Sequence, residues 1–196
     1  HKNNALSLAR IKHLPRRRLA RFIRSSGYFN QKSIKLKSLV DFFLVYGRDE
    51  RAMEKLRQGS VPKIRTALLG INGVGPETAD SILLYAGSYP IFVVDAYTRR
   101  MGQRIGLFKT DDYHEIQAFF QNALKQKGAP VARRLATAPT YNEFHALIVA
   151  LAKAICTSRN PKCPVCPVSS MCAFARRARL NPFPLDEGES GVASEG

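Results

Sequence analysis

Apolar residues recur along this chain at intervals of three and four, and Gly or Pro interrupts the pattern often enough to predict a succession of α-helices. Between residues 31 and 46, Ile34, Leu36, Leu39, Val40, Phe42, Phe43 and Tyr46 mark one helical face; Lys32, Lys35 and Lys37 interleave, and Gly47 is the stop. Pro15 and Gly27 bracket a helix over 16–26. A short charged helix over 48–58 ends at Gly59. Helices over 62–69 and 76–86 each carry Pro in the first turn, and Gly87 ends the second. Asp95 reads as the cap of a helix running to Gly106. Asp111 opens the next helix, through Lys127, with Asp112-x-x-Glu115 as a partial capping signal. Thr140-x-x-Glu143 is a fuller capping box before the apolar stretch 144–155. Only Ile91-Phe92-Val93-Val94 has strand character, and four residues between two helices predict an extended connector. Periodicity fades from about Arg176, and the Gly-, Ser- and Glu-rich end is expected to be disordered. The expected fold class is mainly α.

Length and composition narrow the function. With 196 residues, 45% of them hydrophobic, the chain can bury an ordinary core, which excludes collagen-like and wholly disordered classes. No apolar run approaches the ~18 residues of a membrane span, and the N-terminus shows no signal-peptide core. An intracellular protein, in cytoplasm or nucleoid, is the expectation. His1 reads as the middle of an amphipathic helix, so the chain is expected to be a fragment whose start lies upstream.

Charge changes the picture more. The formal net charge is +16. Residues 1–48 hold twelve Lys and Arg against a single acid, Asp41, whereas residues 181–196 hold Asp186, Glu187, Glu189 and Glu195 and no base. Such a field attracts a polyanion, of which nucleic acid is the commonest. A generally basic soluble protein is the bland alternative; an anionic membrane surface is disfavoured because no helix is basic on one face and apolar on the other. Lys12, Arg16, Arg17, Arg18, Arg21 and Arg24 are the candidate phosphate contacts.

All four cysteines fall in one short segment, as Cys156-x6-Cys163-x2-Cys166-x5-Cys172. Disulfides within so tight a loop would constrain little. Soft thiolates suit a metal, and zinc is one reading, but structural zinc sites usually come as paired knuckles. A single knuckle with unequal arms suits a larger object, a [4Fe–4S] cluster held by four thiolates. Upstream, Gly70-Ile71-Asn72-Gly73-Val74-Gly75-Pro76 makes a tight turn between two helices. The amides at the start of the second helix then face outward at its positive end, an arrangement that binds phosphate without a charged side chain. No strand precedes the turn, which argues against a dinucleotide fingerprint, and no Lys-Ser/Thr follows it, which argues against a P-loop.

The cysteine spacing resembles the cluster loop of the endonuclease III and adenine glycosylase DNA repair enzymes. The turn is similar to the helix–hairpin–helix element of that superfamily, known as HhH-GPD. The stretches 75–80, 94–97 and 141–148 look like its branch of 3-methyladenine DNA glycosylases, and residues 26–32 fit that branch and endonuclease III alike. The resemblance implies two helical domains with a DNA cleft between them: residues 1–92 with the hairpin, and 93–175 with the [4Fe–4S] cluster on Cys156, Cys163, Cys166 and Cys172. A tail over 176–196 follows. It implies that Gly73, Val74, Gly75 and Thr78 grip DNA. It makes Asp95 the catalytic carboxylate, which otherwise reads as a helix cap.

In relatives that also cut the strand, a Lys two residues after the last hairpin Gly attacks the sugar; here Glu77 stands there, and no Lys lies between Thr66 and Phe108. The expectation is a monofunctional, hydrolytic DNA N-glycosylase that removes an alkylated purine from duplex DNA in base-excision repair, working as a monomer. Glu77 is a second candidate carboxylate. Tyr97, Tyr28, Phe29 and Phe144 are candidate aromatic walls for a cationic base, and His145 reads as a packed helix histidine. Two alternatives stay open: a glycosylase/lyase of the endonuclease III type for oxidised pyrimidines, and a non-catalytic DNA-binding module.

Overall fold

The computed structural model describes residues 7–47, 50–125 and 137–180. Among these, the regular elements are all helical: α1 (Leu8–His13), α2 (Arg16–Phe22), α3 (Phe29–Tyr46), α4 (Glu50–Gln58), α5 (Val61–Leu69), α6 (Pro76–Ser81), α7 (Ala96–Ile105), α8 (Tyr113–Lys125), α9 (Ala138–Ala154) and α10 (Ala173–Leu180). A wide π-type turn over Ile82–Ala86 continues α6, with the Gly87 N–H on the Ile82 carbonyl. No described helix is long and apolar enough to cross a membrane.

Two clusters of buried side chains organise these helices. Leu56, Ile64, Leu68, Val74, Ala79 and Leu83 form the first, with Leu39, Phe42 and Phe43 of α3 against it. Leu84, Phe92, Val93, Val94, Met101, Ile116, Phe120, Tyr141 and Ile148 belong to the second. Leu83 and Leu84 are neighbours in sequence but serve different clusters. The helix that leaves the hairpin is therefore common to both, and the boundary drawn at residue 92 falls inside the second core, where Phe92 is fully buried.

Residues 91–94 stay extended without a sheet because side chains satisfy their backbone. Gln117 donates to the Phe92 carbonyl at 2.7 Å, and the Phe92 N–H donates to Gln121 Oε1 at 3.3 Å. A buried charge ties the same region together. The Asp80 side chain is 0% exposed. Arg65 of α5 donates to it from Nε at 2.7 Å and from Nη2 at 3.1 Å, Tyr113 Oη at 2.9 Å, and Gln117 Nε2 at 2.8 Å. Hydrogen bonding to Asp80 raises the Arg65 guanidinium, and burial, then Asp80's charge, pushes the Tyr113 phenol well up.

Several helix ends differ from the sequence pattern. Asp112, not Asp111, caps α8, its Oδ1 accepting from the His114 and Glu115 N–H groups, while Asp111 accepts from Gln103. Thr137, three residues before the expected Thr140, caps α9; Pro139 in the first turn has no N–H to satisfy, so the helix can start earlier. Residues 173–180 are helical where periodicity had faded, because α10 packs along α7. The helix expected from residue 31 starts at Phe29, after Tyr28 in a left-handed conformation at φ 45°. The expectations for the chain start at His1, for residues 48–49 and 126–127, and for the tail 181–196 lie outside the described residues.

Candidate active site

The hairpin between α5 and α6 is anchored from inside and bare outside. Val74 buries its side chain in the first core, and its N–H donates to the Ile71 carbonyl at 3.0 Å. Gly73 adopts φ +82°, which any other residue would resist, and a Cβ there would lie 2.5 Å from the Lys35 Cε. Lys35 of α3 thus lies across the turn, a contact that sequence reasoning missed because the two residues are far apart in the chain. Gly75 meets nothing where its Cβ would be, and Gly73, Gly75 and Thr78 are exposed.

Asp95 sits at the head of α7, reached through the buried Phe92-Val93-Val94 connector. Its Oδ1 accepts from the Thr98 N–H at 2.7 Å, so it is the helix cap the sequence predicts. Its Oδ2 lies 3.5 Å from Nε2 of His145 on α9, and the two side chains are 13% and 10% exposed. Although burial opposes ionisation, the nearby His145 imidazole and the hydrogen bond from Thr98 hold the Asp95 carboxyl below the usual carboxylate range. Glu77, in the first turn of α6, moves the other way: burial, then the charge of Asp95, raise it against Arg99 and His145. Two carboxyl groups beside the hairpin are therefore driven apart, which is how a site separates an ionised role from a protonatable one.

The candidate aromatic walls are not gathered here. Among the described residues, no hydrogen bond, ion pair or ring contact joins Tyr28, Phe29 or Tyr97 to Asp95, Glu77 or His145. Tyr97 has its ring beside Arg100 at 5.2 Å and Lys153 at 5.8 Å. Tyr28 is 83% exposed at the start of α3. Phe144 packs into the core, its ring 5.9 Å from those of Phe92 and Phe120. Tyr85, missed in the sequence, is an aromatic residue that reaches the histidine beside Asp95. Its hydroxyl is 2.6 Å from His145 Nδ1. Lys12, Arg16, Arg17, Arg18, Arg21 and Arg24 are all exposed, although Lys12 pairs with Asp41 at 3.0 Å.

Cys156, Cys163, Cys166 and Cys172 line one pocket, walled by Met101, Ile105, Leu151, Ile155, Val168 and Phe174. Four soft donors around such a space, under an apolar wall, fit a polynuclear iron–sulfur group. Arg104 frames it, donating to Cys156 Sγ at 3.3 Å and to the Thr157 and Ser158 carbonyls, while its own carbonyl accepts from Cys172 Sγ at 3.2 Å. Arg100 holds the approach by donating to the Ala152 and Cys156 carbonyls, each at 3.0 Å. These two arginines, one helical turn apart on α7, were a signal that sequence reasoning passed over.

Comparison with known proteins agrees with this geometry. The HhH-GPD superfamily base excision DNA repair proteins match residues 1–126, and the iron-sulfur binding domain of endonuclease III matches 156–172, which holds the four cysteines. A candidate DNA repair glycosylase of Methanocaldococcus jannaschii is 36% identical, aligned over 85% of this chain and 71% of its own. The H. pylori 3-methyladenine DNA glycosylase, solved with 1,N6-ethenoadenine, is 31% identical over 74% of this chain and 66% of its own, at a TM-score of 0.58. A non-covalent endonuclease III–DNA complex shares the fold at 22% identity and a TM-score of 0.64, over 89% of this chain and 72% of that one. The chain spans 60% of the length of the Buchnera aphidicola endonuclease III. It belongs to the HhH-GPD superfamily of base-excision DNA repair proteins, related to DNA glycosylases, and carries the iron–sulfur binding domain of endonuclease III with its [4Fe–4S] cluster.

Proposed function

We propose that this chain is a monofunctional glycosylase that hydrolyses the bond between deoxyribose and an alkylated purine in duplex DNA, acting as a monomer. The observation that carries the reading is Glu77: it stands two residues after the hairpin, near enough for the charge of Asp95 to raise it, where a lyase of this superfamily has an amine. The residues from Thr66 to Phe108 include no Lys, so no nucleophilic amine belongs to this stretch. The 31% identity to the 3-methyladenine glycosylase supports the choice of base.

The chemistry follows from the two carboxyl groups. Gly73, Val74, Gly75 and Thr78 would hold a backbone phosphate at the start of α6 while the damaged nucleotide leaves the stack. Breaking the N-glycosidic bond sends its electron pair to the base and leaves positive charge at C1′. The Asp95 carboxylate, fixed by Thr98 and His145, opposes that charge. Water then bonds to C1′ and gives its proton to Asp95, yielding an abasic site and a free base. Glu77, the more readily protonated of the two, can hydrogen-bond the departing base or position that water. An alkylated purine already carries positive charge, so little acid catalysis is needed. Cys156, Cys163, Cys166 and Cys172 would hold the cluster, which shapes the loop beside α7.

The test is excision from duplexes carrying 3-methyladenine, 1,N6-ethenoadenine, deaminated bases or oxidised pyrimidines, each followed by borohydride treatment. Release of an alkylated purine with the strand left intact supports the reading. A borohydride-stable protein–DNA adduct, or release of oxidised pyrimidines alone, replaces it with the endonuclease III type of reaction. Full activity in Asp95→Asn removes the carboxylate from the chemistry.

A further inference from the structure

Tyr85 holds no role in the reaction as derived so far and His145 only steadies Asp95, yet the two are in contact beside that carboxylate. His145 is 8% exposed on α9, and its Nε2 is buried without a hydrogen-bond partner, 3.5 Å from Asp95 Oδ2. On the other side of the ring, Nδ1 lies 2.6 Å from the Tyr85 hydroxyl. Tyr85 belongs to the π-type turn that continues α6, and its ring is partly exposed. Such a turn adds one residue to the helical count and so re-aims the side chains within it, a local departure that recurs at functional sites.

An unpaired buried imidazole nitrogen is costly, and a histidine with one partnered nitrogen has its tautomer set by that partner. We propose that Tyr85 and His145 are positioning residues that aim and ionise the catalytic carboxylate: the Tyr85 hydroxyl donates to Nδ1, which leaves the ring proton on Nε2, directed at Asp95 Oδ2. Oδ1 is already committed to the Thr98 N–H. The carboxylate plane is thus set from two helices, α7 and α9. As the nucleotide enters and water leaves, the 3.5 Å separation can close to a hydrogen bond, as catalytic contacts often do on forming the reactive complex.

The groups facing Asp95 are Glu77 from α6, Tyr85 from the π-type turn, His145 from α9 and Thr98 from its own helix; Arg99 faces Glu77. Removing the His145 donor leaves burial opposed by the Thr98 hydrogen bond alone. Its carboxyl then takes up a proton at higher pH.

This inference rests on the hydrolytic reading, and two measurements separate them. The first is the pH profile of single-turnover excision by the full chain with its cluster. His145→Ala is expected to slow excision about 10- to 100-fold and to move the acidic limb upward by about one pH unit. His145→Gln, whose amide nitrogen can occupy the place of Nε2, is expected to restore the limb, and Tyr85→Phe to move it part of the way. Visible absorbance of the cluster and binding to an abasic-analogue duplex should match the parent in all three. A slower His145→Ala with an unmoved limb would reduce the pair to helix packing and overturn the proposal.

The second is a long-range ¹H–¹⁵N spectrum of His145, which needs no substrate. A neutral ring protonated on Nε2, losing that preference in Tyr85→Phe, supports the arrangement even where no tested base is excised. A ring protonated on Nδ1 at neutral pH overturns it.

Discussion

Asp80 and Asp95 are fifteen residues apart, both are shielded from water, and they have opposite fates. Asp80 is sealed, with Arg65, Tyr113 and Gln117 supplying four donors, one to Oδ1 and three to Oδ2. Asp95 keeps 13% of its side chain exposed, accepts one close hydrogen bond from Thr98, and has His145 at a looser 3.5 Å. A fully buried carboxylate under four donors is a strut: it joins α5, α6 and α8 and is closed to a substrate. One held by two helices but incompletely satisfied retains acceptor capacity for a developing positive charge. Burial alone therefore does not mark a catalytic acid; the number of donors already spent on it does.

That contrast can be broken by substitution. Asp80→Ala strands Arg65 and should cost about 3–5 kcal/mol of stability in denaturant unfolding; a loss below about 1 kcal/mol would mean that Asp80 is no strut. Asp95→Asn keeps a capping side chain, so unfolding should change little while the excision rate falls on the order of 10²–10³-fold, or about 3–4 kcal/mol of transition-state stabilisation. Equal losses of stability in the two variants would erase the distinction. Tyr113→Phe removes one donor to a buried charge and should cost about 2 kcal/mol with excision unaltered; a slower enzyme of unchanged stability would tie Asp80 to the chemistry after all.

The smallest effect tests the partner of Asp95. The Glu77 carboxyl is held above its usual range, so the native state binds that proton more tightly than the unfolded chain does. Its contribution to stability is complete at pH below the unfolded value of about 4.3 and is lost as pH rises through the higher native value. Glu77→Gln should therefore melt slightly above the parent at pH 7, with the gap closing as the pH falls below about 4. A parent that melts higher at neutral pH would show that Glu77 is favoured as an anion.

Much of this was legible along the chain. The helical rhythm, the glycine turn, the Asp95 cap and the cysteine spacing are local patterns, and each was found where sequence placed it. The helix ends that moved did so for local reasons, Pro139 and Asp112, or for the packing of α10 on α7. The aromatic residues were harder to place, for a different reason. Tyr97, Phe144 and Tyr85 are similar as letters, and periodicity cannot say that one sits beside two cations, one packs in the core and one reaches His145.

Sequence by itself determined which residue types were present and what each short segment could become, because turn chemistry, capping and thiolate spacing act over a few residues. Only the tertiary structure decided which acid is spent and which is spare. Arg65, Tyr113 and Gln117 meet at Asp80, and Tyr85 and His145 meet near Asp95, from helices far apart in the chain. The free energy of a buried charge is set by those distant donors rather than by its neighbours in sequence.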